Sequence, residues 1–184
     1  MQWCNSEGRY GLTSIILHWS IAVAFLGLFA LGYWMVGLNY YSDWYQTAPH
    51  WHKSVGMLLF ALMLLRLLWR LLSTGPAPLP APPGIRLLTR AVHGGLYLGL
   101  FALMISGYLI STANGRPVSV FGWFEVPALV SGLPGQADLA GSIHEILAWA
   151  LLLLVGLHAL AALKHHFIDR DPTLVRMLGR DTLR

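Results

Sequence analysis

Four apolar stretches, about Thr13–Val36, His52–Leu72, Leu87–Thr112 and Ile143–Phe167, take up more than half of this 184-residue chain. Each holds about the 20 residues needed to cross a hydrocarbon layer of roughly 30 Å. A chain with 56% hydrophobic and only 11% charged residues is also too apolar for an ordinary soluble domain. The expected fold is therefore an all-α integral membrane protein, a bundle of four transmembrane helices forming one membrane domain over residues 1–184. The helices leave no room for a separate soluble catalytic domain. A buried soluble helix bundle is the alternative, and the segment lengths weigh against it.

The basic residues orient this bundle. Arg9 precedes the first helix, Arg66, Arg70, Arg86 and Arg90 flank the connection between the second and third, and Lys164, Arg170, Arg176, Arg180 and Arg184 follow the fourth. All ten fall on one side, leaving Lys53 and Arg116 on the other. By the positive-inside rule both termini are cytoplasmic. The net charge of +4 is then a topology signal, and no nucleic-acid partner is expected. Cys4 is the single cysteine, so neither a disulfide framework nor a C-x-x-C-H haem attachment is available. The first helix reads as retained: its apolar stretch is too long for a cleaved signal, contains His18 and lacks a small-residue cleavage site.

Tyr33, Trp34, Tyr40, Tyr41, Trp44 and Tyr45 form an aromatic belt of the kind that anchors helices at the outer interface. Thr47-Ala-Pro49 suits a helix start. Residues 73–84, STGPAPLPAPPG, form a proline-rich, semi-rigid spacer. Gly95 and Gly99 make a G-x-x-x-G pair, usually a helix-packing device, which also leaves room for a flat cofactor. The outer loop of about 30 residues after Asn114 carries Phe121, Trp123 and Phe124 and shows no clear secondary structure. Ser142-x-x-Glu145 reads as a capping box opening the fourth helix, which puts His144 in its first turn and gives Glu145 a structural role.

Histidines carry the chemistry. His144 and His158 lie 14 residues apart, about 40° short of four full turns and roughly 21 Å along the axis, so both project from nearly one face. Intramembrane imidazoles are costly without partners. The topology sorts them by depth, with His50, His52 and His144 outside and His18, His93 and His158 inside. At each level the fourth helix offers one imidazole to candidates on other helices. That is what a six-coordinate haem iron needs, and bundles build such sites from facing helices. Zinc or copper sites would recruit further Cys, His or carboxylate ligands, and a proton relay would include acids that the helix interiors lack. A lone His bonding a backbone carbonyl explains one residue but not two levels. Outside, His52 is favoured over His50 because it directly precedes the apolar run. Inside, spacing leaves His18 and His93 open.

Several motifs then agree with one family. They are Leu17-His18-Trp19, His52-Lys-Ser-Val-Gly56, Leu64-Leu-Arg66-Leu-Leu-Trp-Arg70, Asn114-Gly-Arg116-Pro117 with Phe121-Gly122, and His144-Glu145 with Gly156-Leu-His158 before Lys164-His165-His166. In this order, over nearly the whole chain, they resemble the bacterial cytochrome b561 family. The resemblance implies four membrane helices around two non-covalent b haems. It pairs His52 with His144 outside and His18 with His158 inside as axial ligands of the haem iron, leaving His93 as a neighbour of the inner haem or its propionates. The chain looks like the superoxide oxidase branch of that family. That likeness implies an outer haem that takes an electron from periplasmic superoxide and an inner haem that passes it to ubiquinone, with His165 and Trp19 at the quinone. His165 also lies seven residues after His158, about 20° off the same stripe. Lys53, Arg116 and His50 are the entrance candidates for superoxide, although the outer segments set two basic residues against Asp43, Glu125, Asp138 and Glu145. The alternative is an electron-transfer subunit without a substrate of its own, serving a periplasmic redox protein.

Overall fold

The computed structural model describes residues 2–179. It contains α1 (Leu12–Met35), α2 (Thr47–Leu72), α3 (Pro83–Thr112), a hairpin of β1 (Val118–Val120) and β2 (Phe124–Val126), α4 (Gln136–Lys164), one π-helical turn (His165–Asp169) and α5 (Thr173–Met177). Arg180 and Arg184, counted in the charge asymmetry, lie outside the described residues. The chain is mostly helical, and α1 to α4 are each long and apolar enough to cross a membrane. They also turn large apolar side chains outward: Val23, Leu98 and Leu153 are 68%, 74% and 67% exposed. In water such faces would be unstable, whereas lipid tails solvate them; inside lipid, a helix satisfies its own backbone polar groups.

Prolines mark two of the starts. Pro83 opens α3 and Pro49 sits in the first turn of α2, where backbone N–H groups have no intrahelical acceptor and proline loses nothing. α4 differs from the sequence expectation. It begins at Gln136, so Ser142 is an interior residue whose Oγ donates to the Asp138 carbonyl one turn back, at 3.0 Å, and no capping box forms. His144 accordingly lies more than two turns into the helix, and Glu145 is an exposed helical residue. The start is set by tertiary bonds: Gln136 Nε2 donates to the carbonyls of Leu109 and Val130 (3.0 and 3.2 Å), and its Oε1 accepts from Leu133 N. These side-chain bonds to distant backbone leave no periodic signal in the sequence.

The chain divides into two compact units. One comprises Met1–Ala22, Leu62–Leu96 and Leu153–Arg184; the other comprises Val23–Ala61 and Tyr97–Leu152. In the first, Asn5 Oδ1 accepts from Gly11 N and Ser14 Oγ, both at 2.8 Å, while Trp69 Nε1 donates to Ser14 Oγ at 2.9 Å. The proline-rich connector is tied down here as well as spacing two helices. Ala77 N donates to the Glu7 carbonyl, and the Ala77 carbonyl accepts from Arg176 Nη1, each at 2.9 Å.

In the second unit the long outer loop is ordered, contrary to expectation. Its hairpin pairs Val118 with Val126 and Val120 with Phe124. Phe121 and Gly122 take positive φ (51° and 71°), and Trp123 N donates to the Val120 carbonyl. Two successive residues in that region make the tight turn whose twist suits a hairpin, with Phe121 at a position that favours Gly or Asn. The buried hydroxyl of Ser54 holds it there, accepting the Phe121 N–H at 3.0 Å. Tyr108 fastens the rest of the loop. Its hydroxyl donates to the Pro127 carbonyl and accepts from Leu129 N, both at 2.7 Å.

Candidate haem-binding histidine pairs

The six histidines that the topology sorts by depth fall into the two contact units in the same way: His18, His93 and His158 in one, His50, His52 and His144 in the other. In the second unit the His52 and His144 rings stand 6.2 Å apart, centre to centre, at 73°. In the first, His18 and His158 stand 6.2 Å apart at 72°. Two imidazoles ligating one metal from opposite sides have their centres about 6 Å apart, from two metal–nitrogen bonds of about 2 Å and about 1 Å from each nitrogen to its ring centre. Both pairs match that span. His93 lies 5.4 Å from His158, shorter than the span, so it neighbours the inner pair.

The surroundings of His144 suit a ligand. Its Nδ1 lies 3.0 Å from the Leu103 carbonyl and 3.1 Å from Ser106 Oγ. The carbonyl can only accept, so the proton sits on Nδ1 and the Nε2 lone pair is bare; a backbone bond of this kind is how metal-binding imidazoles are usually held. His52 is complementary: its buried Nδ1 has no hydrogen-bond partner among the described residues. Glycines seat both rings. A Cβ on Gly107 would lie 3.0 Å from His144 Cε1, and one on Gly32 would lie 3.0 Å from His52 Cε1. Glycine therefore lets these imidazoles lie close against the backbone of α3 and α1, where a Cβ would push the rings back by a few tenths of an ångström. On these grounds the residues fit a bis-imidazole haem.

At the inner pair, Arg66 Nη1 donates to His18 Nδ1 at 2.9 Å. A neutral ring that gives one lone pair to a metal carries its proton on the other nitrogen, so ligation by His18 requires Arg66 to release this bond. Of the G-x-x-x-G pair, Gly99 receives the fully buried Leu151 and Gly95 touches Leu154, which is the packing use of small residues.

The remaining predicted positions are distributed as follows. The His50 ring lies 6.0 Å from Phe121, edge to face, beside Trp51, which is 5.1 Å from the same ring. Lys53 and Arg116 are exposed, as are Asp43, Glu125, Asp138 and Glu145. Trp19 lies 5.3 Å from the His18 ring, and its Nε1–H is bonded to the Met177 carbonyl at 2.9 Å. His165 opens the π-helical turn, with Nδ1 2.6 Å from Asp171 Oδ2 and 3.1 Å from Asp169 Oδ2. Asp169 is itself bonded through both oxygens to Lys164. Asp171 lies beyond the spans: burial opposes its charge, but bonds from Thr173 and His165 outweigh that and hold its carboxyl below the ordinary value. Sequence reasoning missed Gly32, Gly107, Ser106 and Asp171. The small pair Ser106-Gly107 within an apolar run was the available signal for two of them.

A profile described as prokaryotic cytochrome b561 matches residues 9–180. The chain belongs to that family. It is a bacterial membrane protein of the cytochrome b561 type, and membership implies b-type haem and electron transfer. It is 53% identical over 183 residues to cytochrome b561 homolog 2 of Escherichia coli K12, covering 99% of this chain and 97% of that one. Cytochrome b561 homolog 1 of the same organism is 30% identical, over 94% and 98%. A Yersinia pestis protein named probable superoxide oxidase CybB is 31% identical, over 94% and 97%.

Proposed function

We propose that this cytochrome b561 moves single electrons across the inner membrane from periplasmic superoxide to ubiquinone, with two b haems held by His52–His144 and His18–His158. The observation that carries the reading is the pair of imidazole couples, each 6.2 Å between ring centres. A relative named probable superoxide oxidase supports the choice of donor. The balance is two superoxide ions, one quinone and two protons giving two dioxygen molecules and one quinol. When bound, the haems supply the one-electron chemistry. The chain's own residues do the rest. Leu103 and Ser106 orient His144, and Gly32 and Gly107 let the outer rings seat. Lys53, Arg116 and His50 attract the anionic substrate at the outer end, Phe121 neighbours both His50 and Trp51, and His165 and Trp19 serve the quinone. The concentration of Lys and Arg at the termini and the α2–α3 connection supports cytoplasmic termini.

Stopped-flow mixing of the purified cytochrome with superoxide, with and without a short-chain quinone, tests this. Haem reduction by superoxide, followed by quinone-dependent reoxidation, is expected. Reduction no faster than with superoxide dismutase present overturns it. The four exposed acids against Lys53 and Arg116 favour a second reading, an electron-transfer subunit that docks a basic periplasmic redox protein. Specific co-purification of such a protein, with no response to superoxide, would select it.

A further inference from the structure

We propose that Asp171 is a positioning residue that sets His165 up as the proton donor to the quinone, an inference that rests on the quinone reading of His165. Superoxide delivers electrons only, so both protons of the quinol come from water. A group at the quinone must pass them on one at a time, and an imidazole held by a carboxylate is suited to that.

The backbone builds this dyad. The π-helical turn ends when the Arg170 N–H and then the Asp171 N–H both bond the His165 carbonyl, the second at 3.0 Å. Arg170 adopts a left-handed conformation, φ 53°, which reverses the chain and brings Asp171 back beside the ring it follows by six residues. A single inserted π-turn with a left-handed non-glycine closing it is a costly local arrangement, and such turns concentrate at functional sites. Asp171 is itself immobilised, because Oδ1 accepts the Thr173 N–H at 2.8 Å while Oδ2 takes His165 Nδ1 at 2.6 Å. The carboxylate can only accept, so the ring carries its proton on Nδ1 and turns Nε2 to another partner.

In the transfer step the imidazolium Nε2–H bond breaks and an O–H bond forms on the reduced quinone. The neutral ring keeps Nδ1–H on Asp171, and water returns a proton to Nε2. An open pocket of about 390 Å³ adjoins the carboxylate side of the dyad, lined by Asp171 with His166, Arg170, Pro172 and Val175. The other charged groups at the dyad are Asp169, its partner Lys164, His166, Arg170 and, from α5, Arg176, which bonds the Ala77 carbonyl. The donor atoms of His165, Asp169 and Asp171 lie within 4.8 Å of one another, close enough for a cation. The Lys164 ammonium already occupies both Asp169 oxygens, so the counter-charge is in place and the cluster is left to hold a ring and its proton.

The test uses the haem-loaded full-length protein and the variants Asp171→Asn, Asp171→Glu and His165→Ala. Histidine ¹⁵N spectra, with the His165 signal identified by its loss in His165→Ala, report the tautomer without reference to turnover. The parent and Asp171→Glu should show a fixed Nδ1–H form, which Asp171→Asn loses. Anaerobic, pre-reduced protein is then mixed with a short-chain quinone and haem reoxidation is followed. Asp171→Asn should slow reoxidation at saturating quinone by about tenfold, at unchanged half-saturation, with Asp171→Glu restoring it. The inference is overturned if Asp171→Asn leaves tautomer and rate unaltered while His165→Ala slows the reaction. A change in half-saturation alone also overturns it. Unaltered reoxidation in His165→Ala removes the quinone reading itself.

Discussion

Gly107→Ala probes whether the outer imidazole pair is seated as tightly as the geometry requires. The added Cβ would lie 3.0 Å from His144 Cε1 and 3.3 Å from Nδ1. Both contacts are tighter than ordinary van der Waals separation, so the ring must give by a few tenths of an ångström. It cannot do so freely, because its Nδ1 is bonded to the Leu103 carbonyl at 3.0 Å and contacts Ser106 Oγ at 3.1 Å. Metal–ligand distances tolerate about 0.2 Å, which is less than the displacement. Overpacking of this kind costs about 1–3 kcal/mol, and disturbing a ligand's supporting bond costs about 10- to 100-fold in affinity. The outer haem should therefore be held at least about tenfold more weakly, while the inner haem stays. Haem content, the reduced low-spin spectrum and the rate of haem loss to a competing apoprotein measure this. Gly94→Ala on the same helix is the control, since its Cβ would meet nothing within 4 Å. If Gly107→Ala keeps the parent's haem content, spectrum and rate of haem loss, with unchanged helical circular dichroism, the seating argument is wrong.

Replacing His144 or His158 by Ala should each remove one haem's low-spin signal and leave the other. Full haem content with unaltered spectra in both variants would dissolve the proposed pairing. Ser54→Ala leaves the Phe121 N–H without its acceptor in a turn whose φ of 51° disfavours a side chain. Leaving such a group unpaired costs about 1–3 kcal/mol, so thermal unfolding should occur at lower temperature, and an unchanged Tm would show that another group fills the role.

Much of the site is legible in the linear chain because its determinants are periodic or local. The 14-residue spacing of His144 and His158 places both on one helical stripe whatever surrounds them. The capping box at Ser142 misled because Gln136 starts α4 through bonds to Leu109, 27 residues away, and to Val130 in the preceding loop. The outer loop looked structureless because its order comes from single side chains, Tyr108 and Ser54, bonded to its backbone.

The sequence by itself determined four membrane-length helices and the spacing of the histidines along them, since length, hydropathy and spacing act along one segment at a time, and its motifs carried the resemblance to the cytochrome b561 family. The tertiary structure decided which rings stand together. His18 stands 6.2 Å from His158 while His93 stands at 5.4 Å, a distinction set by the packing of neighbouring helices that no spacing along one helix contains. The same holds for the glycine seats at Gly32 and Gly107 and for Asp171, which a left-handed turn at Arg170 carries back to His165. Close approach between separate stretches of backbone is a property of the packed chain, and the linear order of residues does not encode it.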